Sequence, residues 1–215
     1  MKRLVIFDLD GTLLNSIADI AYAANEVLRR HAFPLFPVED YRFMVGNGFR
    51  KLMERATPEA YRTDPFVDQM RDEFAAIYSN RCMADTVPYL YIPELLSALR
   101  REGIAVAVAS NKYHRATQAI IAHYFPTIDF HAVYGQREGI AIKPDPTIVF
   151  DILGTDFQTS EVLYVGDTAV DMQTAANAGI ESVGVTWGFR PRTELEDANA
   201  NNIVDNPFEI IPLCR

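Results

Sequence analysis

Two carboxylates follow the first apolar segment of the chain at a spacing that suits metal and phosphate chemistry. Leu4–Phe7 is typical of a buried strand, and Asp8, Asp10 and Gly11 come directly after it. Residues two apart on a strand face the same side, so the two carboxylates converge on one point. Acids at the end of an apolar strand are costly unless they are paired, hydrogen-bonded or metal-bound. Mg²⁺ takes oxygen ligands of this kind, with a phosphate completing its shell. A simple Asp-Gly turn is the alternative interpretation.

A second acidic pair, Asp167 and Asp171, follows the apolar run Val162–Val165. Its four-residue spacing places both carboxylates on one side of the start of a helix. Helix capping explains one of these acids but explains poorly why a second pair accompanies the first. Four carboxylates in one cleft repel one another, and a divalent cation offsets much of that repulsion.

Polar side chains follow two further apolar runs. Ser110 and Asn111 come after the run 104–109 and can donate hydrogen bonds to a phosphate oxygen; a helix N-cap is the alternative. Lys143 precedes Pro144, which favours an extended backbone and holds the ammonium in the cleft. Taken alone, such a lysine is more often a solvated surface charge.

Strand-like and helix-like runs alternate along most of the chain, which predicts a mostly parallel sheet covered on both faces. The predicted strands are Leu4–Phe7, Ile104–Ala109, Phe130–Tyr134, Val162–Val165, Ser182–Thr186 and a short edge strand at Ile203-Val204. The predicted helices between them are Ile92–Glu102, His114–Tyr124, Pro146–Leu153 and Ala169–Ala178. The long stretch after the first strand has helical spacing only. We therefore predict an α/β fold, a Rossmann-like parallel core formed by 1–14 and 86–215, with an inserted α-helical cap formed by 15–85.

Net charge, cysteine spacing and the length of the apolar runs argue against several classes of protein and partner. The 215 residues carry a net charge of −9, which argues against a surface for nucleic acid. The two cysteines have no metal-like or redox-like spacing. Asp8 interrupts the first apolar run, so it is too short for a signal sequence, and no later run has transmembrane length. We expect a cytoplasmic protein that acts on a small phosphorylated metabolite, without nucleic-acid or membrane partners; the sequence leaves its oligomeric state open.

Four motifs together resemble the haloacid dehalogenase-like hydrolase superfamily, and specifically its phosphatases with a helical cap, of the phosphoglycolate phosphatase kind. These motifs are Asp8-Leu9-Asp10-Gly11-Thr12, Ser110-Asn111, Lys143-Pro144 and Gly166-Asp167 with Asp171. The resemblance implies magnesium-dependent hydrolysis of a small, phosphoglycolate-like phosphomonoester. A sugar phosphomutase of the same superfamily is the nearest alternative, and a non-catalytic phospho-signalling or binding module is a more distant one.

The resemblance also implies roles for individual residues. Asp8 is expected to attack phosphorus, forming an aspartyl-phosphate, and Asp10 to act as general acid and then general base. The other implied roles are metal binding by Asp8, Asp167 and the backbone carbonyl of Asp10, support of the metal or of Lys143 by Asp171, and phosphate binding by Lys143, Ser110, Asn111 and the amide of Gly11.

Substrate choice is expected to reside in the cap, near the segment 46–50. Gly46 and Gly48 flank Asn47 and let the backbone approach a bound molecule. Arg50 follows at a distance suited to meeting a substrate carboxylate. A plain turn between helices is the alternative interpretation of this segment.

Overall fold

The apolar runs predicted as strands pair in one sheet. The computed structural model describes all 215 residues. The strands are β1 (Leu4–Phe7), β2 (Leu14–Asn15), β3 (Val87–Pro88), β4 (Ala105–Tyr113), β5 (Ala132–Gln136), β6 (Val162–Gly166), β7 (Glu181–Val185) and β8 (Asn202–Val204). Six of them form a sheet in the order β5-β4-β1-β6-β7-β8, and every neighbouring pair is parallel. The predicted α/β class is confirmed.

Nine α-helices accompany the strands. They are α1 (Ile17–Arg30), α2 (Gly48–Ala56), α3 (Asp64–Ser79), α4 (Ile92–Arg101), α5 (His114–Tyr124), α6 (Thr147–Leu153), α7 (Ala169–Ala178), α8 (Arg192–Asp197) and α9 (Ile210–Leu213). Short 3-10 turns lie at Val38–Phe43, Glu59–Tyr61, Thr159–Glu161 and Pro207–Glu209. The bounds of α5 and α7 agree with the predicted ones.

One strand is longer than the sequence suggested. β4 continues through Ser110, Asn111 and Lys112 to Tyr113, which is the N-cap of α5. The interpretation of Ser110 and Asn111 as helix caps is therefore wrong. Their side chains are buried, and a polar sequence does not end a strand when the surrounding fold encloses it.

The central strands are buried on both faces. All four residues of β1 have no solvent exposure, and Leu4 and Ile6 pack in a cluster with Val149 of α6 and Ala175 of α7. Parallel strands covered on both faces have the continuous apolar composition seen here. Each fully buried Leu or Ile side chain contributes about 1.5–3 kcal/mol to folding. Burial of these side chains therefore stabilises the sheet that positions the residues following its strands.

The strand register places the end of β1 between β4 and β6. Phe7, the last residue of β1, lies opposite Val108 of β4 and Val165 of β6. The residues that follow Phe7 therefore lie beside the C-terminal parts of β4 and β6, at the edge where open parallel sheets bind ligands.

The chain divides into two compact units, one formed by Met1–Asn15 with Pro88–Arg215 and the other by Ser16–Val87. The second unit contains α1, α2 and α3, and its core includes stacked Phe74 and Tyr78 with Phe49 against them. The segment Glu59–Tyr61 is a single 3-10 turn, and α3 begins at Asp64 with a proline in its first turn. None of the helices combines the length and the apolar composition needed to cross a membrane.

The beginning and the end of the helical unit are tied together by one buried carboxylate. Asp19, on α1, has no solvent exposure. It accepts hydrogen bonds from the backbone amides of Asp85 and Thr86 and from the Thr86 hydroxyl, at 2.8–3.1 Å. The acid is compensated by these donors, as a buried carboxylate must be.

Candidate active site

A buried lysine bridges two of the predicted acids. Lys143 is 2% exposed, and its ammonium donates to three oxygens: Asp8 Oδ1 at 2.8 Å, Asp171 Oδ1 at 2.8 Å and the Ala109 carbonyl at 2.9 Å. The structure thus brings residues from three separate motifs into one cluster. A charge with this many acceptors is fixed in place, because each hydrogen bond to an ionised group is stronger than a neutral one.

Burial and charge act in opposite directions on this cluster. Burial raises the pKa of Asp8 to about 7, with Lys143 opposing the rise and Asp171 adding to it. Burial lowers the pKa of Lys143, but the carboxylates of Asp171 and Asp8 outweigh it and hold the pKa well above its ordinary value. The ammonium is therefore charged at neutral pH, beside the carboxylate predicted to be the nucleophile.

Asp167 lies beside this cluster and is held by two donors. The Thr12 hydroxyl donates to Oδ1 at 3.1 Å, and the Phe189 amide donates to Oδ2 at 2.7 Å. Burial raises the pKa of Asp167 well above its usual range, and the charges of Asp171 and Asp8 raise it further. A carboxylate in this environment is stabilised as an anion when a cation is added.

The three acids fit a divalent cation. Asp8, Asp167 and Asp171 are all buried, and each offers an oxygen within 4.8 Å of the others. Oxygen-only ligands from carboxylates are the set that Mg²⁺ uses. Asp171 also caps α7, because its Oδ2 accepts from the amide and the hydroxyl of Thr168 at 3.2 and 2.7 Å. The capping interpretation and the cluster interpretation of Asp171 are thus both correct, one for each carboxylate oxygen.

Two glycines permit the acids to approach the backbone. Gly11 has φ +90°, and a Cβ there would lie 2.3 Å from Asp167 Oδ2. A Cβ on Gly166 would lie 2.3 Å from the Cβ of Asp171. Such distances are far inside van der Waals contact, so only glycine leaves room for these carboxylates.

Asp10, the predicted proton carrier, has a partner that the sequence argument missed. The ammonium of Lys112 lies 2.6 Å from Asp10 Oδ1 and 2.7 Å from Oδ2. The local sequence carries no signal for this pair, because the two residues are 102 positions apart in the chain. Thr12 and the Phe189 amide were also missed as partners of Asp167.

The predicted phosphate ligands have other partners within the protein. Asn111 Oδ1 accepts from the Lys143 amide at 2.9 Å, and its Nδ2 donates to the Lys143 carbonyl at 3.1 Å. The Gly11 amide donates to the carbonyl of Leu14 at 2.9 Å. Ser110 Oγ is buried and accepts from the Lys112 amide at 3.2 Å, which leaves its own proton available to an acceptor. Asn111 thus holds the backbone of Lys143, and a role of Ser110, Asn111, Lys143 and the Gly11 amide in binding phosphate stays a prediction.

The predicted specificity residues lie together in the helical unit. Gly46 and Gly48 have φ of +108° and +78°, and Asn47 Oδ1 accepts from Arg55 at 2.8 Å. Arg50 is paired within the unit, with Asp64 at 2.6 Å and Asp68 at 3.0 Å. A role of these residues in substrate choice stays a prediction.

Comparison with known proteins places this geometry in a family. Residues 5–185 match the profile described as haloacid dehalogenase-like hydrolase. A phosphoglycolate phosphatase of Haemophilus influenzae (strain 86-028NP) is 30% identical over 98% of this chain and 97% of its own length. One of Pseudomonas fluorescens (strain Pf-5) is 31% identical over 100% of this chain and 80% of its own length. The crystal structure assigned as a phosphoglycolate phosphatase from Lactobacillus delbrueckii subsp. bulgaricus superposes with a TM-score of 0.92 at 30% identity, over 100% of this chain and 99% of that one.

These similarities extend over both units, and the residues matched by the family profile span the positions of all four motifs. The family profile covers more than half of the chain, from the first strand to the end of β7. The predicted family and enzyme class are confirmed. The chain belongs to the haloacid dehalogenase-like hydrolase family and is an enzyme of its phosphatase class.

Proposed function

We propose that this enzyme hydrolyses a small phosphomonoester of the phosphoglycolate kind, using Mg²⁺ and an aspartyl-phosphate formed on Asp8. The observation that carries the proposal is the buried cluster in which Lys143 contacts both Asp8 and Asp171 at 2.8 Å, with an oxygen of Asp167 close to both acids. Relatives that match this chain over nearly its whole length are named phosphoglycolate phosphatases, which supports a phosphoglycolate-like ester as the substrate.

We propose Asp8, Asp167 and the backbone carbonyl of Asp10 as the metal ligands, with Asp171 in support. Bound Mg²⁺ supplies positive charge that offsets the repulsion between these acids and an incoming phosphate. Burial raises the pKa of two carboxylates in this cluster, Asp8 and Asp167, and an added cation stabilises the ionised form of such groups.

Each side chain that we place around the phosphate has a separate role in the reaction. A carboxylate oxygen of Asp8 forms a bond to phosphorus while the bond from phosphorus to the ester oxygen breaks. Asp10 gives its proton to the departing oxygen, then takes a proton from the water that attacks the aspartyl-phosphate and releases inorganic phosphate. The ammonium of Lys143 and the hydroxyl of Ser110 neutralise and orient the phosphate oxygens.

We further propose that the helical unit, Ser16–Val87, acts as the cap and selects the substrate. The segment Gly46–Gly48 with Arg50 is the part of it that we assign to substrate choice. Two residues with positive φ in this segment expose backbone groups to a ligand without an intervening side chain.

The decisive experiment is release of inorganic phosphate from a panel of small phosphate esters, including phosphoglycolate, with Mg²⁺ or with EDTA. We expect activity with Mg²⁺ only, and none above background in Asp8→Asn. Asp156→Asn, an exposed site, is the matched control and should retain wild-type activity. Phosphate release that survives EDTA or the Asp8 substitution contradicts the mechanism. Conversion of a hexose 1-phosphate to its 6-phosphate without free phosphate assigns the protein to the phosphomutases.

A further inference from the structure

We propose that Lys112 is a positioning residue that fixes the Asp10 carboxylate in the orientation needed for proton transfer. The inference rests on the proposed function, in which Asp10 is the proton carrier. Lys112 lies outside the four motifs that carry the family resemblance, and its ammonium contacts the Asp10 carboxylate.

The contact between the two residues is short and symmetric. The ammonium lies 2.6 and 2.7 Å from the two oxygens of Asp10. The Lys112 side chain has no solvent exposure, and the Asp10 side chain is 18% exposed. Because both oxygens accept from one ammonium, the rotation of the carboxylate plane is fixed.

The backbone of Lys112 is itself held firmly. Its amide donates to Ser110 Oγ at 3.2 Å, and its carbonyl accepts from the Thr117 hydroxyl at 3.3 Å. A Cβ on Gly135 of the neighbouring strand would lie 2.3 Å from that carbonyl oxygen, so β5 packs directly against it. The ammonium is therefore anchored by a rigid strand, which is what a positioning residue requires.

A purely structural role does not explain this pair well. The fully buried ammonium of Lys112 loses its solvation, and apolar side chains of similar volume often stabilise a fold as well as or better than a buried ion pair. The two buried ammonium groups also contact different reacting carboxylates: Lys143 contacts Asp8, and Lys112 contacts Asp10. Each of the two reacting carboxylates thus has its own buried ammonium.

General acid catalysis contributes most to the rate when the leaving group is a poor one. The loss of activity caused by a substitution at Lys112 should therefore depend on the leaving group of the ester. We compare kcat/KM for 4-nitrophenyl phosphate, whose leaving group needs little protonation, with kcat/KM for an alkyl phosphate that the wild-type enzyme hydrolyses. In Lys112→Met we expect a loss of about 10²-fold for the alkyl ester, the lower end of general acid catalysis, and a loss of less than about 5-fold for the aryl ester. Lys112→Arg, which keeps the charge, should recover part of the alkyl activity.

A double-mutant cycle with Asp10→Asn separates action through Asp10 from other effects. On that background Lys112→Met should cause no further loss. The double variant also leaves no carboxylate without its cation, so it is expected to fold even if Lys112→Met alone does not. Equal losses on both esters, no loss on either, or full additivity in the cycle overturns the proposal.

A crystal structure of Lys112→Met gives a readout that needs no activity. We expect the Asp10 carboxylate to leave the position that it holds beside Nζ while Asp8 and Lys143 keep theirs. An unmoved Asp10 overturns the positioning role, whatever the enzyme hydrolyses. Absence of phosphatase activity in the wild-type protein instead contradicts the proposed function, so the two failures are distinguishable.

Discussion

Asn111 connects β4 to the segment between β5 and α6 through its side-chain amide. It bonds the amide and the carbonyl of Lys143, a residue 32 positions later in the chain. Both contacts are enclosed by protein, so neither backbone group of Lys143 has water as an alternative partner. The asparagine thereby fixes the backbone from which the bridging ammonium extends.

Replacing Asn111 by leucine, of similar size, is expected to leave both of those backbone groups unsatisfied. Each buried unsatisfied group costs about 1–3 kcal/mol of unfolding free energy, and kcat should fall because Lys143 loses its anchor. Urea denaturation and steady-state kinetics measure the two effects. Asn177→Ala is the control, since Asn177 is exposed and donates to the adjacent Pro144 carbonyl at 2.9 Å; a cost of within about 0.5 kcal/mol is expected. Equal costs at the two positions contradict the assignment.

For a single residue, the sequence indicates the chemistry of the side chain more readily than the residue that this side chain contacts. Asp8 and Asp10 were predictable because their spacing alone places them on one side of a strand end. Lys112 was not, because its partner lies 102 residues away in the chain and only the pairing of β4 with β1 brings them together. The contact of Asn111 with the Lys143 backbone was not predictable for the same reason, since an amide that binds backbone and one that binds ligand have the same sequence signature.

The elements were predictable wherever hydrophobic periodicity was long. β1, α5 and α7 have the expected bounds, because apolar runs and helical spacing coincide there with clear ends. β4 was underestimated, because Ser110, Asn111 and Lys112 are polar and strands rarely continue through such residues. Enclosure by neighbouring elements overrides that preference, and enclosure is not visible in local sequence.

The Asp19 contacts set the stability of the helical unit at its two ends. Asp19→Ala should leave the amides of Asp85 and Thr86 without their acceptor, which lowers the unfolding free energy by about 1–3 kcal/mol for each amide. Hydrogen exchange should show those two amides losing protection before the centres of α1 and α3. Asp64→Ala is the matched control, because Asp64 is 90% exposed in its pair with Arg50 and such pairs contribute at most about 1 kcal/mol. Unchanged protection at 85 and 86 in Asp19→Ala contradicts this role.

For the molecule as a whole, the buried acids couple folding to pH and to the metal. Asp8 has a pKa of about 7 when folded and 3.8 ordinarily, so between these values the folded protein holds a proton that the unfolded chain has lost. The unfolding free energy of the metal-free protein therefore falls as pH rises from about 4 through about 7. Asp167 acts in the same direction.

Mg²⁺ binds the ionised carboxylates, so its stabilising effect should be larger at pH 8 than at pH 5.5. Thermal unfolding in EDTA and in Mg²⁺ at the two pH values measures this difference. Asp167→Asn is expected to reduce the shift in Tm caused by Mg²⁺ at pH 8. An equal shift at both pH values, or an undiminished shift in the variant, would show that the ion binds elsewhere.

The Asp19 contacts also bear on how such a protein is assembled from parts. Because the first turn of α1 is bonded to residues 85 and 86, the two ends of the helical unit lie side by side. An insert with adjacent ends can be exchanged for another without stretching the chain on either side of it. An exchange of this unit that retains an acid at position 19 and the backbone donors at 85 and 86 should therefore keep its two ends together.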